Sequence, residues 1–103
     1  MRLYRKSGIR GSEAAALHYH AAALAASGRV GQALQQYREA LRMNRELDRP
    51  ADQALSHEGI GECLVQTGEV TDGREQLLQA LTIFRRIGMQ ADAQRVRDRL
   101  EGV

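Results

Sequence analysis

The stretch Leu24-Ala-Ala-Ser-Gly28-Arg-Val30 returns as Leu64-Val-Gln-Thr-Gly68-Glu-Val70, an offset of 68 − 28 = 40 residues, and that return decides the fold. Working outward at the same offset, Gln36, Ala40, Leu41, Met43, Arg45 and Leu47 fall on Gln76, Ala80, Leu81, Ile83, Arg85 and Ile87. The linker Ala51-Asp52 returns as Ala91-Asp92, and Leu3, Arg5 and Ala14 precede Met43, Arg45 and Ala54. Within one unit Val30, Ala33, Leu34, Tyr37, Ala40, Leu41 and Leu47 recur at intervals of three, four and their sums, which is a helix with one buried stripe.

Gly28 and Gly68 each stand between two such helices, as left-handed turn residues closing the first. Leu47-Asp-Arg-Pro50 and Ile87-Gly88 carry the stop signals between units, Pro50 suiting the first turn of the next helix. The spacing predicts helices over 2–7, 12–27, 30–47, 51–67, 70–87 and 90–101. A lone helical pair cannot bury its own stripe, so such units stack. The expected fold is all-α: a solenoid of antiparallel helix-turn-helix repeats in one domain, 1–103. Residues 1–10 read as the tail of a preceding repeat, 12–49 as repeat one, 51–88 as repeat two. Residues 90–101 form a capping helix made polar by Arg95, Arg97, Asp98, Arg99 and Glu101.

Composition agrees. The 103 residues suit one domain, and 43% hydrophobic content supplies a core, while aromatics are 4% and helix formers abound. The longest apolar run, Ala21 to Ala26, is far below the roughly 20 residues of a membrane span. Net charge is +2, too balanced to imply nucleic acid. A lone cysteine, Cys63, and no signal peptide lead us to expect a reducing, cytoplasmic setting.

At these residues the chain resembles the tetratricopeptide repeat (TPR). In the second unit Ile60-Gly61, Leu64, Gly68, Leu77 and Ala80 match its pattern, and in the first Ala21, Leu24, Gly28, Ala33, Tyr37 and Ala40 do. The forty-residue period resembles the long variant found in bacterial multidomain regulators. His57 and Leu17 depart from the pattern where it often has Trp, and His20 replaces a leucine. Gly73-Arg74 stand where the first unit has Ala33-Leu34, which predicts looser packing at that corner.

Catalytic chemistry finds no foothold. His57 and Cys63, six residues apart on one helix, point about 240° apart, so Cys63 reads as a buried small hydrophobe. His18 and His20, two apart, face different ways, which argues against a metal; His20 is expected at the core edge. Gly59-Ile-Gly61 lacks the strand and the further residues of a phosphate loop and reads as close helix packing. No catalytic, cofactor-binding or metal-ligating residue is assigned.

The resemblance implies a concave groove lined by the first helix of each unit. Its positions here are Ala15, His18, Ala22 and Ala25, then Leu55, Glu58, Glu62 and Gln66, then Arg95 and Asp98. The lysine and asparagine clamp by which some members hold a terminal carboxylate is missing, because His18, Ala22, Glu58 and Glu62 stand there. Glu58 and Glu62, four apart, suggest an open acidic patch for a basic ligand. The function expected is a non-enzymatic module binding a protein or peptide, part of a larger bacterial transcriptional regulator, without direct nucleic-acid or membrane contact. The alternatives are self-association through the open solenoid end, where Leu3, Tyr4 and Ile9 would be uncovered, or a small-ligand sensor groove. A monomer or weak homodimer is expected, with dimerisation strengthening as salt screens Arg2, Arg5, Lys6 and Arg10.

Overall fold

The computed structural model describes residues 2–103, with side chains from residue 8 onward. Five helices follow one another: α1 (Arg2–Ala26), α2 (Val30–Glu46), α3 (Pro50–Gln66), α4 (Val70–Arg86) and α5 (Gln90–Glu101), with no strand among the described residues. Each packs antiparallel on the next, an all-α solenoid-like repeat.

The turns explain the regularity. Gly28, Asp48, Gly68 and Gly88 are the left-handed residues, at φ of +87°, +53°, +91° and +79°, one every twenty positions. After each, the next amide reaches back to the carbonyl five residues earlier: Arg29 to Leu24 (2.8 Å), Arg49 to Asn44 (3.0 Å), Glu69 to Leu64 (2.8 Å) and Met89 to Phe84 (2.9 Å). Every helix from α1 to α4 thus ends in the same Schellman turn, which satisfies carbonyls that would otherwise be orphaned.

Four of the expected helices appear within about a residue of their expected ends. The amino-terminal one differs. A break was expected between residues 7 and 12, yet α1 runs unbroken from Arg2 to Ala26. Gly8 lies in phase with the other turn glycines but is not left-handed, and Ser12 donates from Oγ to the Gly8 carbonyl (3.1 Å) within the helix. Continued helical hydrogen bonding here outweighs the glycine's turn preference. Of the apolar residues expected at this end, Ile9 is exposed, whereas the side chains of Leu3 and Tyr4 lie outside the described residues.

The core is two clusters in sequence. Ala21, Leu24, Ala33, Tyr37, Leu41, Ile60, Cys63 and Leu64 join α1, α2 and α3; Ala54, Leu77, Ala80, Leu81, Phe84, Ala93, Val96 and Leu100 join α3, α4 and α5. The expected looseness at Gly73 is the reverse of what is found. A Cβ on Gly73 would stand 2.8 Å from the Gly61 carbonyl oxygen, and one on Gly61 2.9 Å from that of Gly73. Where the first unit crosses on two buried alanines, Ala21 and Ala33, the second crosses on two glycines whose missing side chains bring the backbones together. Arg74, beside Gly73, sends Nη1 to the Leu100 and Val103 carbonyls (3.0 and 3.2 Å) and caps α5.

His20 also departs from expectation: it is exposed. His57 is the buried histidine, held at Nδ1 by Gln76 Oε1 of α4 (2.8 Å), while Cys63 is buried in the first cluster.

Candidate functional site

Helices α1, α3 and α5 share one face, and a shallow groove of about 290 Å³ runs across it. Of the residues singled out from the sequence, His18, Leu55, Glu58, Glu62 and Arg95 line it, joined by Tyr37, Gly59 and Asp92. Ala22 and Gln66, a turn beyond His18 and Glu62, are exposed and line no part of it. Tyr37 reaches the groove because Gly59 has no side chain: a Cβ there would fall 2.5 Å from the ring. Burial, with Cys63, Glu62 and Glu58 nearby, pushes the Tyr37 phenol up to about 12.

The acidic patch is not open as expected. Arg95 Nε and Nη2 donate to Glu58 Oε2 and Oε1 (2.8 and 2.7 Å) while Nη1 donates to Asp92 Oδ1 (2.8 Å). Glu58 is buried, and the Arg95 guanidinium stands over the Phe84 ring at 5.9 Å. The hydrogen bonds to Glu58, which outweigh partial burial, raise the Arg95 pKa beyond its ordinary value. Glu58 is therefore a structural partner that fastens α5 to α3. Glu62 remains, half-buried, with Arg99 Nε 3.9 Å away; burial first and Glu58 second raise its pKa.

The first unit repeats this site in altered form. At the forty-residue offset Glu58, Phe84, Asp92 and Arg95 become His18, Asn44, Asp52 and Leu55. Where Phe84 and Arg95 fill the second unit, the first leaves a cavity of about 90 Å³ lined by Ala14, Ala15, His18, Tyr19, Asn44, Asp52 and Leu55. The His18 ring meets Tyr37 edge-on at 5.4 Å and Tyr19 at 5.7 Å. Burial lowers its pKa against the opposing pull of Asp52 and Glu58, so it is neutral at neutral pH.

Sequence reasoning missed Tyr37, Asn44, Asp52 and Asp92 as site residues. The signal for the two aspartates was present in the repeated Ala-Asp of the linkers; their place three residues before Leu55 and Arg95 puts them on the same helix face. Among the described residues no three metal-ligating side chains converge, and no helix is long and apolar enough to cross a membrane. No family model, curated protein or solved structure matches the chain.

Proposed function

We propose that the chain is a non-catalytic, tetratricopeptide-like interaction module that holds an extended peptide or partner helix in the groove of α1, α3 and α5, as part of a larger bacterial transcriptional regulator in the cytoplasm. One observation carries this reading. Most of the apolar side chains of α2 to α5 are consumed by packing, with Val70 and Leu78 of α4 left exposed, while His18, Leu55, Glu62 and Arg95, from alternate helices, stay accessible along one face. With Glu58 neutralised by Arg95, Glu62 and Asp52 carry the preference for a basic ligand.

Peptides selected on the 103-residue chain test it. Leu55→Arg and Glu62→Lys are expected to weaken their binding by about tenfold or more with unchanged circular dichroism, and Gln79→Arg, on the α4 surface away from the groove, is expected to leave it intact. Binding lost only in Gln79→Arg moves the site to the α2/α4 side.

A second reading, self-association, is favoured by the other end of the molecule. Glu13, Ala16, Leu17 and His20 of α1 and Glu39 and Met43 of α2 line an open, largely apolar hollow of about 570 Å³. Of the equivalent residues, Ser56, His57 and Ile60 of α3 and Ala93, Val96 and Leu100 of α5 are buried in the stack, while Gln53 is half-buried and Arg97 exposed.

A further inference from the structure

The two quasi-equivalent sites differ at three of their four positions, and the differences together bear on a ligand. In the second unit a guanidinium, that of Arg95, lies between the residue-58 side chain and Asp92 above the Phe84 ring. In the first, the aspartate is kept as Asp52, the carboxylate of Glu58 gives way to the His18 ring, the aromatic floor shrinks to Asn44, and the arginine becomes Leu55, which carries no charge. What remains is a cavity whose lining holds no arginine or lysine, with Arg49 Nη1 3.7 Å from Asp52 as the nearby cation of the chain. Asn44, only 3% exposed as a residue, lines it, with Gln53 Nε2 donating to its backbone carbonyl (3.2 Å). The Asn44 amide oxygen, the Asp52 carboxylate and a lone pair of neutral His18 are all acceptors.

We infer that the cavity at His18, Asn44 and Asp52 is a subsite for a guanidinium side chain of the bound partner, taking from outside the group that Arg95 supplies from within one unit later. The inference rests on the groove reading, since the cavity shares His18 and Leu55 with the groove. A planar guanidinium with five donors suits three divergent acceptors better than a compact ammonium, and the exposed Tyr19 ring beside His18 offers a face to stack on. Asp52 is engaged by Arg49 only at 3.7 Å, a contact that a ligand can replace.

The test is a titration of the full chain with N-acetyl-L-arginine amide, followed by the NMR signals of the Asn44 side-chain amide and the His18 ring. A saturable shift of both is expected, weakened about tenfold in Asp52→Asn, whose side chain keeps the shape but loses the charge. Asn44→Phe, which copies the second unit, is expected to abolish the shift at His18 and to raise the melting temperature by filling the cavity. The absence of a saturable shift overturns the inference, as does a shift that survives Asp52→Asn; equal binding of the lysine counterpart overturns the guanidinium assignment. Failure here is separable from failure of the groove reading. Peptides that depend on Leu55 but not on Asp52 uphold the groove and reject the subsite, and a probe that binds while no peptide does gives the reverse.

Discussion

Asp48 holds a φ of +53° at a position where the other three turns have glycine. A side chain in the left-handed region costs roughly 1–2 kcal/mol, less for aspartate, so Asp48→Gly is expected to raise stability by about 0.5–1 kcal/mol in a denaturant melt. Gly28→Val and Gly68→Val should each lower it by more than that. A Cβ at either glycine meets nothing within 4 Å, so the loss is conformational and not a clash. The glycine turns were legible because glycine advertises a positive φ; the aspartate turn was not, because aspartate is equally at home in an ordinary turn or cap. The histidines set the acid limit. Burial lowers the pKa of both His18 and His57 below 6.5 in the fold, so the unfolded chain binds protons first as pH falls. Stability present above pH 6.5 is then lost toward the folded values, at up to about 1.4 kcal/mol per pH unit for each histidine. His57→Leu, which copies Leu17, is expected to flatten that decline in melts between pH 7 and 5; an unchanged slope would place the sensitivity elsewhere.

At the scale of helices, the α3/α4 crossing shows how one residue type carries opposite meanings. Glycine inside a helix lowers propensity by about 1 kcal/mol relative to alanine, which is why Gly73 read as a weak point. The crossing reverses the sign. Adding a Cβ to Gly73 or Gly61 drives it against a backbone carbonyl of the facing helix, and backbone cannot move aside as a flexible side chain does. Gly73→Ala is expected to destabilise by about 1–3 kcal/mol despite its better propensity. Gly31→Ala, on α2 with open space around it, is expected to be neutral or to stabilise by up to about 1 kcal/mol in the same chemical melt. Helix count, order and ends were legible from periodicity and the repeated turns, since both are local. The crossing was not, because it depends on which residue of one helix faces which of another. The same limit hid the Glu58–Arg95 lock: the two lie 37 residues apart, and the i, i+4 spacing of Glu58 and Glu62 pointed only to a shared face.

The whole molecule measures 46 × 31 × 18 Å, a plate about two helices thick, with a radius of gyration of 13.7 Å against about 13 Å for a compact chain of this length. A plate of stacked helices has two ends, and they are finished differently. At the α5 end the exposed residues of the helix are mostly polar and Arg74 caps the last carbonyls. At the α1 end the hollow lined by Ala16, Leu17 and Met43 stays open. Arg10 pairs with Glu46 at 2.6 Å, so the part of α1 ahead of it runs past the last turn of α2. Exposed Ile9 and the hollow are the surfaces at this end through which two copies can meet. Repulsion among the basic residues alone would make such a dimer strengthen with salt. We expect the opposite sign, because the hollow is lined by Glu13 beside Glu39, which Arg42 already holds, and this offers opposite charge to the basic residues of a second copy. Attraction across the interface then dominates at low ionic strength and is screened as the Debye length falls to about 3 Å near 1 M salt. Sedimentation equilibrium is expected to show weak dimerisation that weakens as salt rises and is lost in Ile9→Glu, a fully helical variant by circular dichroism. Dimerisation that strengthens with salt would mean that apolar burial against like-charge repulsion governs the contact, and a monomer under all conditions would leave the groove as the one working surface.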